Sequence, residues 1–525
     1  MNRLLTISDA LARHARLSPN KLGARDSQRS LSFAQWEARS LALAGGLQAL
    51  GLQKGDRVAV LAYNRVEWME IYTALSASGL VAVPINFRLM TPEIAYILEH
   101  CEAKALIVQD SLLERVVDLL PHPDLAVQHL IVMGPAASTQ TLRYEDLMSQ
   151  GPQSFHPVVV EPADLCAILY TSGTTGRPKG VMRSHEGSSL IALATALEMR
   201  FGPEDVGLMV MPLCHANSMY FSQTFLHLGA TCVIDDSTHF DPELTLAKLA
   251  NERISFTSLV PTHYIMMLAL PGHVRAAHDV TSVDKLMISS APARKDTKLA
   301  IMACFPNARL HELYGSTEAG WVTLLRPEEQ LDHLGSVGRE WMGSGPIRLL
   351  DEHGQEVPDG EVGELFSRTP YAFDGYWQNP EKTAEAFRGE WCSVGDMARR
   401  DENGFIQLVD RKSNMIISGG ENIYPSEVEG VIGSCPGVKD VAVVGVPHDK
   451  WGEAVHAVVV LHQGATLSET EVIEWCRTRM AGFKRPQTVS LISDDQMPRN
   501  ATGKILHRVL REQLVRALTD CTVAA

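Results

Sequence analysis

Short runs of β-branched and aliphatic residues alternate with stretches of helical periodicity over the first 400 residues of this chain. The runs at 57–61, 80–84 and 105–108 indicate strands, and the stretches at 40–49 and 92–100 indicate helices. Strands that alternate with helices pair as parallel neighbours, because each helix carries the chain back across the sheet. This order therefore predicts an α/β fold with parallel sheets and covering helices.

The size and charge of the chain narrow its class. At 525 residues it exceeds what one ordinary core supports, so we expect at least two domains. Its net charge of −15 argues against nucleic acid as a partner. No apolar run reaches the ~18 residues of a transmembrane segment, and residues 1–18 lack the apolar core of a signal peptide. Nine scattered cysteines without a Cys-x-x-Cys pair indicate reduced thiols and a cytoplasmic location.

The character of the sequence changes near residues 401–404, where Asp-Glu-Asn-Gly marks a turn. A polar cluster follows at 410–414, and about a hundred residues with their own strands and helices follow that cluster. Ser426 and Glu429 have the spacing of a capping box, which predicts that a helix begins there. We therefore predict a large domain over residues 1–411 and a small domain over residues 412–525.

The run Thr-Ser-Gly-Thr-Thr-Gly-Arg-Pro-Lys-Gly at 171–180 follows an apolar stretch, 166–170, that indicates a buried strand. Glycines let backbone N–H groups line up on an anion, while hydroxyls and a lysine add donors and charge. The run is not a Walker A motif, because its lysine follows a proline and precedes a glycine. It indicates a phosphate-binding loop, and the alternative is an ordinary glycine-rich turn between a strand and a helix.

Four further segments carry polar groups suited to a nucleotide. Residues 314–318, Tyr-Gly-Ser-Thr-Glu, offer hydroxyls and a Mg²⁺-binding carboxylate, although a capped turn has the same composition. Asp396 follows a strand and a glycine, where it can accept from ribose hydroxyls or form an Asx turn. The pair at 410–411, Asp-Arg, and Lys504, after a Thr-Gly turn, are either anion-site residues or solvated surface.

Taken together and in order, these motifs resemble the adenylate-forming superfamily of acyl-CoA synthetases, peptide-synthetase adenylation domains and firefly-type luciferases. The resemblance covers nearly the whole chain and rests on the segments 171–180, 314–318, 395–396, 410–411 and 419–425 and on Lys504. It implies a large N-terminal domain of stacked mixed α/β sheets with a distorted β-barrel portion. It also implies a small, mobile C-terminal α+β domain.

The resemblance implies a two-step reaction. A carboxylate attacks the α-phosphate of ATP to give an acyl adenylate and pyrophosphate, and coenzyme A then displaces AMP to give a thioester. The implied phosphate-loop residues are Thr171, Ser172, Gly173, Thr174, Thr175 and Lys179, of which Thr174 also contributes to the Mg²⁺ site and to catalysis. The other implied residues are Tyr314, Gly315, Ser316 and Thr317 for the nucleotide, Glu318 for Mg²⁺, Asp396 and Arg411 for ribose, and the catalytic Lys504.

Coenzyme A would be bound by a second set of residues, according to the same resemblance. Gly420 and Trp451 would line the pantetheine tunnel, while Arg88 and Arg485 would bind phosphate and adenine, with surface arginine as the alternative. The domain hinge aligns with Ser413, where the family usually has Asp or Lys. A serine can still absorb the backbone rotation that such a hinge requires.

Three segments align with the acyl pocket of the family. The implied lining residues are His215, Ala216, Met219, Ser290, Ala291, Leu313, Gly315, Gly320 and Trp321. His215 would lie beside the acyl carboxylate, or else be an ordinary half-buried histidine. No aspartate is placed to hold a substrate amino group, so we expect a neutral acid, either fatty or aromatic.

The leading hypothesis is a carboxylate–CoA ligase that uses ATP, Mg²⁺ and coenzyme A. One alternative is an adenylating enzyme that loads a separate carrier protein, and a luciferase-like oxygenase is a rarer one. The non-enzymatic alternative is a degenerate nucleotide-binding protein without catalytic activity. Family members are monomers or homodimers, and we expect the same here.

Overall fold

The computed structural model describes residues 6–119, 125–135, 141–171, 178–291, 293–412, 414–418, 421–448, 451–477, 479–499 and 503–523. The chain divides into two compact units. The first unit comprises Met1–Pro346 and Ser367–Cys392, and the second comprises Ile347–Phe366 and Ser393–Ala525. The domain boundary between residues 411 and 412 remains a prediction.

The described α-helices run in the following order. They are α1 (Ile7–Leu17), α2 (Phe33–Ala49), α3 (Glu67–Ser78), α4 (Thr91–His100), α5 (Tyr144–Leu147), α6 (His185–Glu198), α7 (Ala216–Leu228), α8 (Pro242–Asn251), α9 (Pro261–Ala269), α10 (Gly272–Ala276), α11 (Lys295–Cys304), α12 (Pro380–Ala386), α13 (Pro425–Ile432), α14 (Glu469–Arg477) and α15 (His507–Val523). Among them, none combines the length and the apolar character that crossing a membrane requires.

The described strands follow the same convention. They are β1 (Leu22–Arg25), β2 (Ser30–Ser32), β3 (Arg57–Leu61), β4 (Val81–Ile85), β5 (Ala105–Gln109), β6 (His129–Met133), β7 (Leu142–Arg143), β8 (Leu165–Thr171), β9 (Lys179–Ser184), β10 (Val206–Met209), β11 (Thr231–Ile234), β12 (Phe256–Leu259), β13 (Lys285–Ser289), β14 (Arg309–Ser316), β15 (Gly320–Leu325), β16 (Arg339–Glu340), β17 (Arg348–Leu350), β18 (Gly363–Phe366), β19 (Gly375–Tyr376), β20 (Phe387–Arg388), β21 (Trp391–Cys392), β22 (Asp396–Arg400), β23 (Ile406–Arg411), β24 (Ile416–Ser418), β25 (Glu421–Ile423), β26 (Val438–His448), β27 (Gly452–Leu461) and β28 (Thr488–Ile492).

Two large sheets form the first unit. One has the strand order β16-β15-β14-β13-β12-β10-β11-β1-β2, and the other has β19-β9-β8-β4-β3-β5-β6-β7. The central strands of both sheets pair in parallel, whereas β2, β9, β15, β16 and β19 pair antiparallel at or near the edges. The alternation of strands and helices in the sequence thus correctly predicted the parallel α/β class.

A helix pair separates the two sheets. Helix α6 packs on β8 and β9, α7 packs on β10 and β11, and the two helices pack on each other. Helix α6 begins immediately after β9 because the Ser184 hydroxyl accepts a hydrogen bond from the Gly187 N–H at 3.3 Å, which caps its N-terminus. One hydrophobic core fills this β-α-α-β stack.

The second unit contains two smaller sheets. Strands β17-β18-β22-β23 form an antiparallel sheet, and β25-β24-β27-β26 form another, on which β28 pairs with β27. Alternate residues of β26 enter two different cores, with Val443 in one and Val444 in the other. Helix α13 packs on β26 as part of the first core, and α15 packs on it as part of the second, so this sheet is buried on both faces.

The four-stranded sheet corrects one expectation. A distorted β-barrel portion was implied by the family resemblance, but β17 and β23 are both edge strands, and the described strands close no barrel. Four strands of three to six residues cannot curl far enough to pair at their edges.

The capping-box prediction at residues 426–429 was half right. A helix does begin there, at Pro425, but Tyr424 occupies the N-cap position and makes no side-chain cap. The Ser426 N–H donates to Asp410 Oδ2 at 2.9 Å, and Glu429 Oε1 accepts from the Val443 N–H at 2.8 Å. Contacts with distant residues have replaced the local cap.

Candidate active site

The predicted phosphate loop connects two antiparallel strands. Thr171 ends β8, Lys179 begins β9, and these two residues are paired across the ladder. The strands on either side of the run therefore pair antiparallel, and the alternative of a turn between a strand and a helix is wrong. Ser172, Gly173, Thr174 and Thr175 lie outside the described residues.

Lys179 is connected through an aromatic ring to the predicted metal ligand. Its ammonium lies 4.1 Å from the centre of the Tyr376 ring, a cation–π geometry. The Tyr376 hydroxyl donates to Glu318 Oε1 at 2.9 Å, and Glu318 is only 8% exposed. Tyr376 thus couples two site residues that lie 139 positions apart in the sequence.

Arg183 is a second residue that the sequence analysis did not identify. It is fully buried, and its guanidinium donates to the Glu318 carbonyl at 3.3 Å and to the Tyr371 carbonyl at 2.7 Å. The Phe373 N–H also donates to the Glu318 carbonyl at 2.7 Å. The Glu318 carbonyl oxygen therefore accepts hydrogen bonds from two residues of other elements, which holds the backbone that carries its carboxylate.

The segment Tyr314–Thr317 ends β14 and opens the hairpin to β15. At Gly315, a Cβ would lie 2.3 Å from the Gly320 carbonyl oxygen, so the two strands could not approach as they do. The Ser316 hydroxyl accepts from the Ala319 N–H at 2.9 Å and closes the turn. Gly320 has φ +71°, and a Cβ there would lie 2.7 Å from the Tyr371 ring. Its small size is accounted for by this turn, and a role in the acyl pocket remains a prediction.

The segment that leads to His215 is held by a buried asparagine. Asn64 is 7% exposed; its Oδ1 accepts from the Leu213 N–H at 2.7 Å, and its Nδ2 donates to the Met211 carbonyl at 3.1 Å. The Tyr72 hydroxyl donates to the Leu213 carbonyl at 2.7 Å. These contacts link the second sheet and α3 to the start of α7, and the sequence carried no local signal for them.

His215 is the N-cap residue of α7, directly before Ala216. Its Nε2 atom is buried and has no hydrogen-bond partner among the described residues. Burial, and then the charge of Arg88, lower the pKa of His215 to about 4. The imidazole is therefore neutral at pH 7, when it can donate or accept one hydrogen bond but supplies no charge.

Trp321 is fixed within an aromatic cluster. It is 5% exposed, and its indole N–H donates to Thr195 Oγ1 at 2.8 Å. Its ring stacks on Phe221 and meets Tyr220 edge-on, with ring centres 5.5 Å apart in both pairs. Trp341 packs on the same ring at 6.2 Å. Because the hydrogen bond sets its orientation, Trp321 cannot swing aside without breaking a buried contact.

Three of the remaining pocket residues lie at or after the carboxyl ends of neighbouring parallel strands in the first sheet. Leu313 lies opposite Ser289 on the neighbouring parallel strand, and Ser290 and Ala291 follow directly. Ser290 has φ +68°, a left-handed conformation that is costly for a residue other than glycine. Met219 lies instead within α7 and lines a small cavity with His185 and other buried residues.

The predicted ribose and catalytic residues meet within the second unit. Asp396 and Arg411 face each other on β22 and β23, and Arg411 Nε lies 2.7 Å from Asp396 Oδ1. Lys504 is exposed, and its ammonium is within electrostatic range of Arg411, Asp396 and Asp410. Three residues that the motifs placed far apart in sequence thus share one neighbourhood.

The predicted coenzyme A residues are described only in part. In the first unit, Arg88 is exposed and its backbone N–H donates to Asn86 Oδ1 at 3.0 Å. In the second unit, Trp451 is 39% exposed and Arg485 is half-buried. Gly420 and the predicted hinge residue Ser413 lie outside the described residues. The assignment of these residues to coenzyme A remains a prediction.

A Mg²⁺ ion fits the chemistry of Glu318. A carboxylate has about four lone-pair positions, and the Tyr376 hydroxyl occupies one of them. The described residues contain no cluster of three or more His, Cys, Asp or Glu side chains that could hold a metal. A metal at Glu318 would therefore depend on oxygen ligands from phosphates and water, as Mg²⁺ commonly does in nucleotide sites.

Two family models match the chain. The AMP-binding enzyme model matches residues 11–377, and the AMP-binding enzyme C-terminal domain model matches residues 427–504. The first alone covers more than half of the chain, so it establishes the family.

Known proteins that resemble the chain align over nearly its full length. A feruloyl-CoA synthase of Amycolatopsis sp is 36% identical over 95% of this chain and 97% of its own. The fatty acid–[acyl-carrier-protein] ligase ScoC of Streptomyces coeruleorubidus is 32% identical, with 97% of each chain covered. The crystal structure of the anthranilate CoA ligase AuaEII with anthranoyl-AMP superposes with a TM-score of 0.88 at 26% identity, over 99% of both chains.

The family models, the full-length relatives and the arrangement of Lys179, Tyr376 and Glu318 agree with the resemblance drawn from the motifs. The chain belongs to the AMP-binding enzyme family, the adenylate-forming acyl-CoA synthetases, and it is an AMP-forming acid–thiol ligase.

Proposed function

We propose that this chain activates a compact, neutral carboxylic acid as its acyl adenylate, using ATP with Mg²⁺, and transfers the acyl group to coenzyme A. The observation that carries the proposal is the linked set of Lys179, Tyr376 and Glu318. It joins the end of the phosphate loop to a carboxylate suited to Mg²⁺. A lysine and a bound Mg²⁺ would together neutralise the charge of the departing pyrophosphate.

In the adenylation step, two anions must approach in line. Positioned cations and N–H donors reduce their repulsion and stabilise the charge that develops. Lys179 would neutralise the β- and γ-phosphates, and Thr317 would contact the α-phosphate. Glu318 would hold Mg²⁺, which supplies charge neutralisation at the phosphates. Lys504 would balance charge on the carboxylate and α-phosphate oxygens.

In the second unit, Asp396 and Arg411 would hold the ribose hydroxyls. Their ion pair presents a carboxylate acceptor beside a guanidinium donor, which suits a diol. Gly420, Trp451, Arg88 and Arg485 remain proposed coenzyme A residues.

The lining of the acyl pocket favours an uncharged, compact acid. His215 is neutral at pH 7, and Ala216 and Leu313 are apolar. Behind Gly320, the aromatic cluster around Trp321 fills the space between the first sheet and helices α6 and α7. This packing supports an aromatic or short aliphatic acid over a long-chain fatty acid.

A second acceptor deserves a test because ScoC, named as a ligase of fatty acids to an acyl-carrier protein, aligns over 97% of this chain. The thiol that displaces AMP could then be the phosphopantetheine of a carrier protein. Free coenzyme A and a phosphopantetheinylated carrier should be compared as acceptors at equal concentration. Turnover with the carrier alone would replace the proposed acceptor.

We also propose a cytoplasmic location and a monomer or homodimer. The eight cysteines whose side chains are described are all free thiols, as expected in a reducing compartment. Fractionation of cells and light scattering of the purified enzyme would test these two points.

The main proposal is tested by product analysis. The enzyme is incubated with ATP, MgCl₂, coenzyme A and single acids from a panel of benzoic, cinnamic, phenylacetic and straight-chain acids. We expect AMP, pyrophosphate and an acyl-CoA in equal amounts, with compact aromatic acids ahead of acids longer than dodecanoic. Formation of ADP, or a preference for the longest chains, would contradict the proposal.

A further inference from the structure

One polar side chain lies among the pocket segments with no role in the reaction described above. Asn217 is in the first turn of α7, two residues after His215, and it is 7% exposed. Its Nδ2 donates to Ser289 Oγ at 3.1 Å, at the carboxyl end of β13. The amide thus connects the two segments, 211–220 and 289–292, that the sequence assigns to the acyl pocket.

The orientation of this amide is set from the sheet side. Ser289 Oγ also lies 3.4 Å from Ser258 Oγ and 3.4 Å from Ser290 Oγ. Ser258 and Ser289 are buried on neighbouring parallel strands, so the hydroxyl that receives the Asn217 N–H cannot move away. With Nδ2 held, Oδ1 points away from this serine cluster.

Asn217 Oδ1 is buried and has no hydrogen-bond partner among the described residues. Buried carbonyl oxygens are paired in the great majority of cases, because an unpaired acceptor loses its hydration without compensation. The neighbouring His215 Nε2 is in the same condition, and the next residue of the sheet edge, Ser290, has a left-handed backbone. Unpaired polar atoms and backbone strain at one place are typical of a site that a ligand completes.

We propose that the acid activated by this enzyme carries an uncharged hydrogen-bond donor, a hydroxyl or an aromatic amino group, that binds to Asn217 Oδ1. The proposal rests on the proposed function and adds the class of substrate. A carbonyl oxygen accepts but cannot donate, so the site distinguishes O–H and N–H groups from an ether oxygen and from a hydrogen atom. An analogue without the donor would leave Oδ1 buried and unpaired in the complex. The loss of one such buried hydrogen bond corresponds to about 10-fold to 100-fold in kcat/KM.

The first test uses the wild-type enzyme alone. ATP–pyrophosphate exchange is measured with sets of acids that share a skeleton: cinnamic acid, its three monohydroxy isomers and the corresponding methoxy compounds, and dodecanoic acid with ω-hydroxydodecanoic acid. We expect kcat/KM of at least one hydroxy acid to exceed that of both its parent and its methoxy analogue by about 10-fold to 100-fold. If no hydroxy acid in the panel has a higher kcat/KM than its parent, the proposal is overturned.

The second test assigns the preference to the residue. Asn217→Leu has similar volume and no polar atoms, so it should abolish the hydroxy preference by lowering kcat/KM for the hydroxy acid to or below that for its parent. Gln223→Leu is the matched control. Gln223 lies further along α7, is 5% exposed, has an unpaired Oε1 and lines the small cavity beside His185. It should leave the preference unchanged.

The outcomes separate the two proposals. Exchange with no acid in the panel would refute the proposed function. Exchange whose hydroxy preference survives Asn217→Leu, or is lost equally in Gln223→Leu, would refute the role of Asn217 and leave the proposed function intact. If Asn217→Leu does not fold, Asn217→Ser, which keeps a smaller polar group, should reduce the preference without removing it.

Discussion

Replacing Tyr376 by phenylalanine removes one oxygen atom from the link between Lys179 and Glu318. The ring under the Lys179 ammonium remains, while the 2.9 Å hydrogen bond to the buried Glu318 carboxylate is lost. Hydrogen bonds to charged groups contribute about 1.5–3 kcal/mol, and each 1.4 kcal/mol corresponds to about tenfold in rate. We therefore expect kcat/KM for ATP in the exchange assay to fall by about 10-fold to 100-fold.

The dependence on Mg²⁺ should change as well, because the carboxylate proposed to hold the ion is no longer fixed by a donor. The Mg²⁺ concentration needed for half-maximal exchange should rise in Tyr376→Phe. In a Glu318→Ala background, Tyr376→Phe should have almost no further effect, since the two residues act through one contact. Tyr376→Leu should lower activity further, by the loss of a cation–π contact of about 0.5–2 kcal/mol.

Tyr264→Phe is the control for this experiment. Tyr264 is fully buried, and its hydroxyl donates to the neutral carbonyl of Met287 at 3.0 Å, within a different core. Its loss should lower the free energy of unfolding by about 1 kcal/mol and leave exchange kinetics unchanged. Wild-type kinetics and Mg²⁺ dependence in Tyr376→Phe, alongside an impaired Glu318→Ala, would refute the reasoning.

Three further predictions concern stability and the catalytic lysine. Burial lowers the pKa of three histidines that are almost inaccessible to solvent from 6.5 to about 4; they are His185, His227 and His311. As the pH falls, these histidines take up protons in the unfolded state before they do so in the folded state. The free energy of unfolding is therefore highest above pH 6.5 and declines as the pH falls toward 4. At pH 5 each of these histidines should lower the free energy of unfolding by about 2 kcal/mol. The urea concentration at the unfolding midpoint should therefore drop sharply between pH 7 and pH 5, and the drop should be smaller in His311→Gln. The same pH dependence in this variant as in the wild type would contradict the prediction. Lys298→Met should destabilise the protein by about 3 kcal/mol, because it leaves Glu312 buried without its partner at 2.7 Å, and adding Glu312→Leu should restore most of the loss; a double variant no more stable than Lys298→Met would count against the pair. Lys504→Ala should reduce adenylation by about 100-fold or more, yet still form thioester from synthetic acyl-AMP; equal loss in both half-reactions would exclude the proposed role.

Much of the fold followed from local pattern. The predicted strand at 57–61 is β3, and the predicted strand at 166–170 lies within β8. β-branched runs predict buried strands well because their side chains suit a pleated surface whichever strand lies beside them. The helix beginning near 426 was also predicted correctly, but its cap was not. The Ser426 N–H donates to Asp410 and the Glu429 carboxylate accepts from the Val443 N–H, so these groups do not form a capping box.

The candidate site was predictable only where it is encoded in a continuous motif. Thr171, Lys179 and Glu318 carry recognisable neighbours in the sequence. Tyr376 and Arg183 do not, because each acts through a contact with a residue at least 58 positions away in the sequence. The only available signal was a polar side chain at a position expected to be buried. Such a signal does not identify the residue that the side chain contacts.

Trp321 shows how burial changes an interpretation. From the sequence it was one of the residues implied to line the acyl pocket. The structure adds a hydrogen bond to Thr195 and contacts with Phe221 and Tyr220, so the ring is a fixed part of the core. Reorientation of Trp321 to admit a longer acid would break these contacts.

The central claim is that this chain forms an acyl adenylate before any thiol takes part. ATP–pyrophosphate exchange measured without coenzyme A tests it most directly. With a hydroxylated aromatic acid and MgCl₂, labelled pyrophosphate should enter ATP, and omitting either the acid or the metal should abolish the exchange. Exchange that requires coenzyme A, or that proceeds without any acid, would contradict the account.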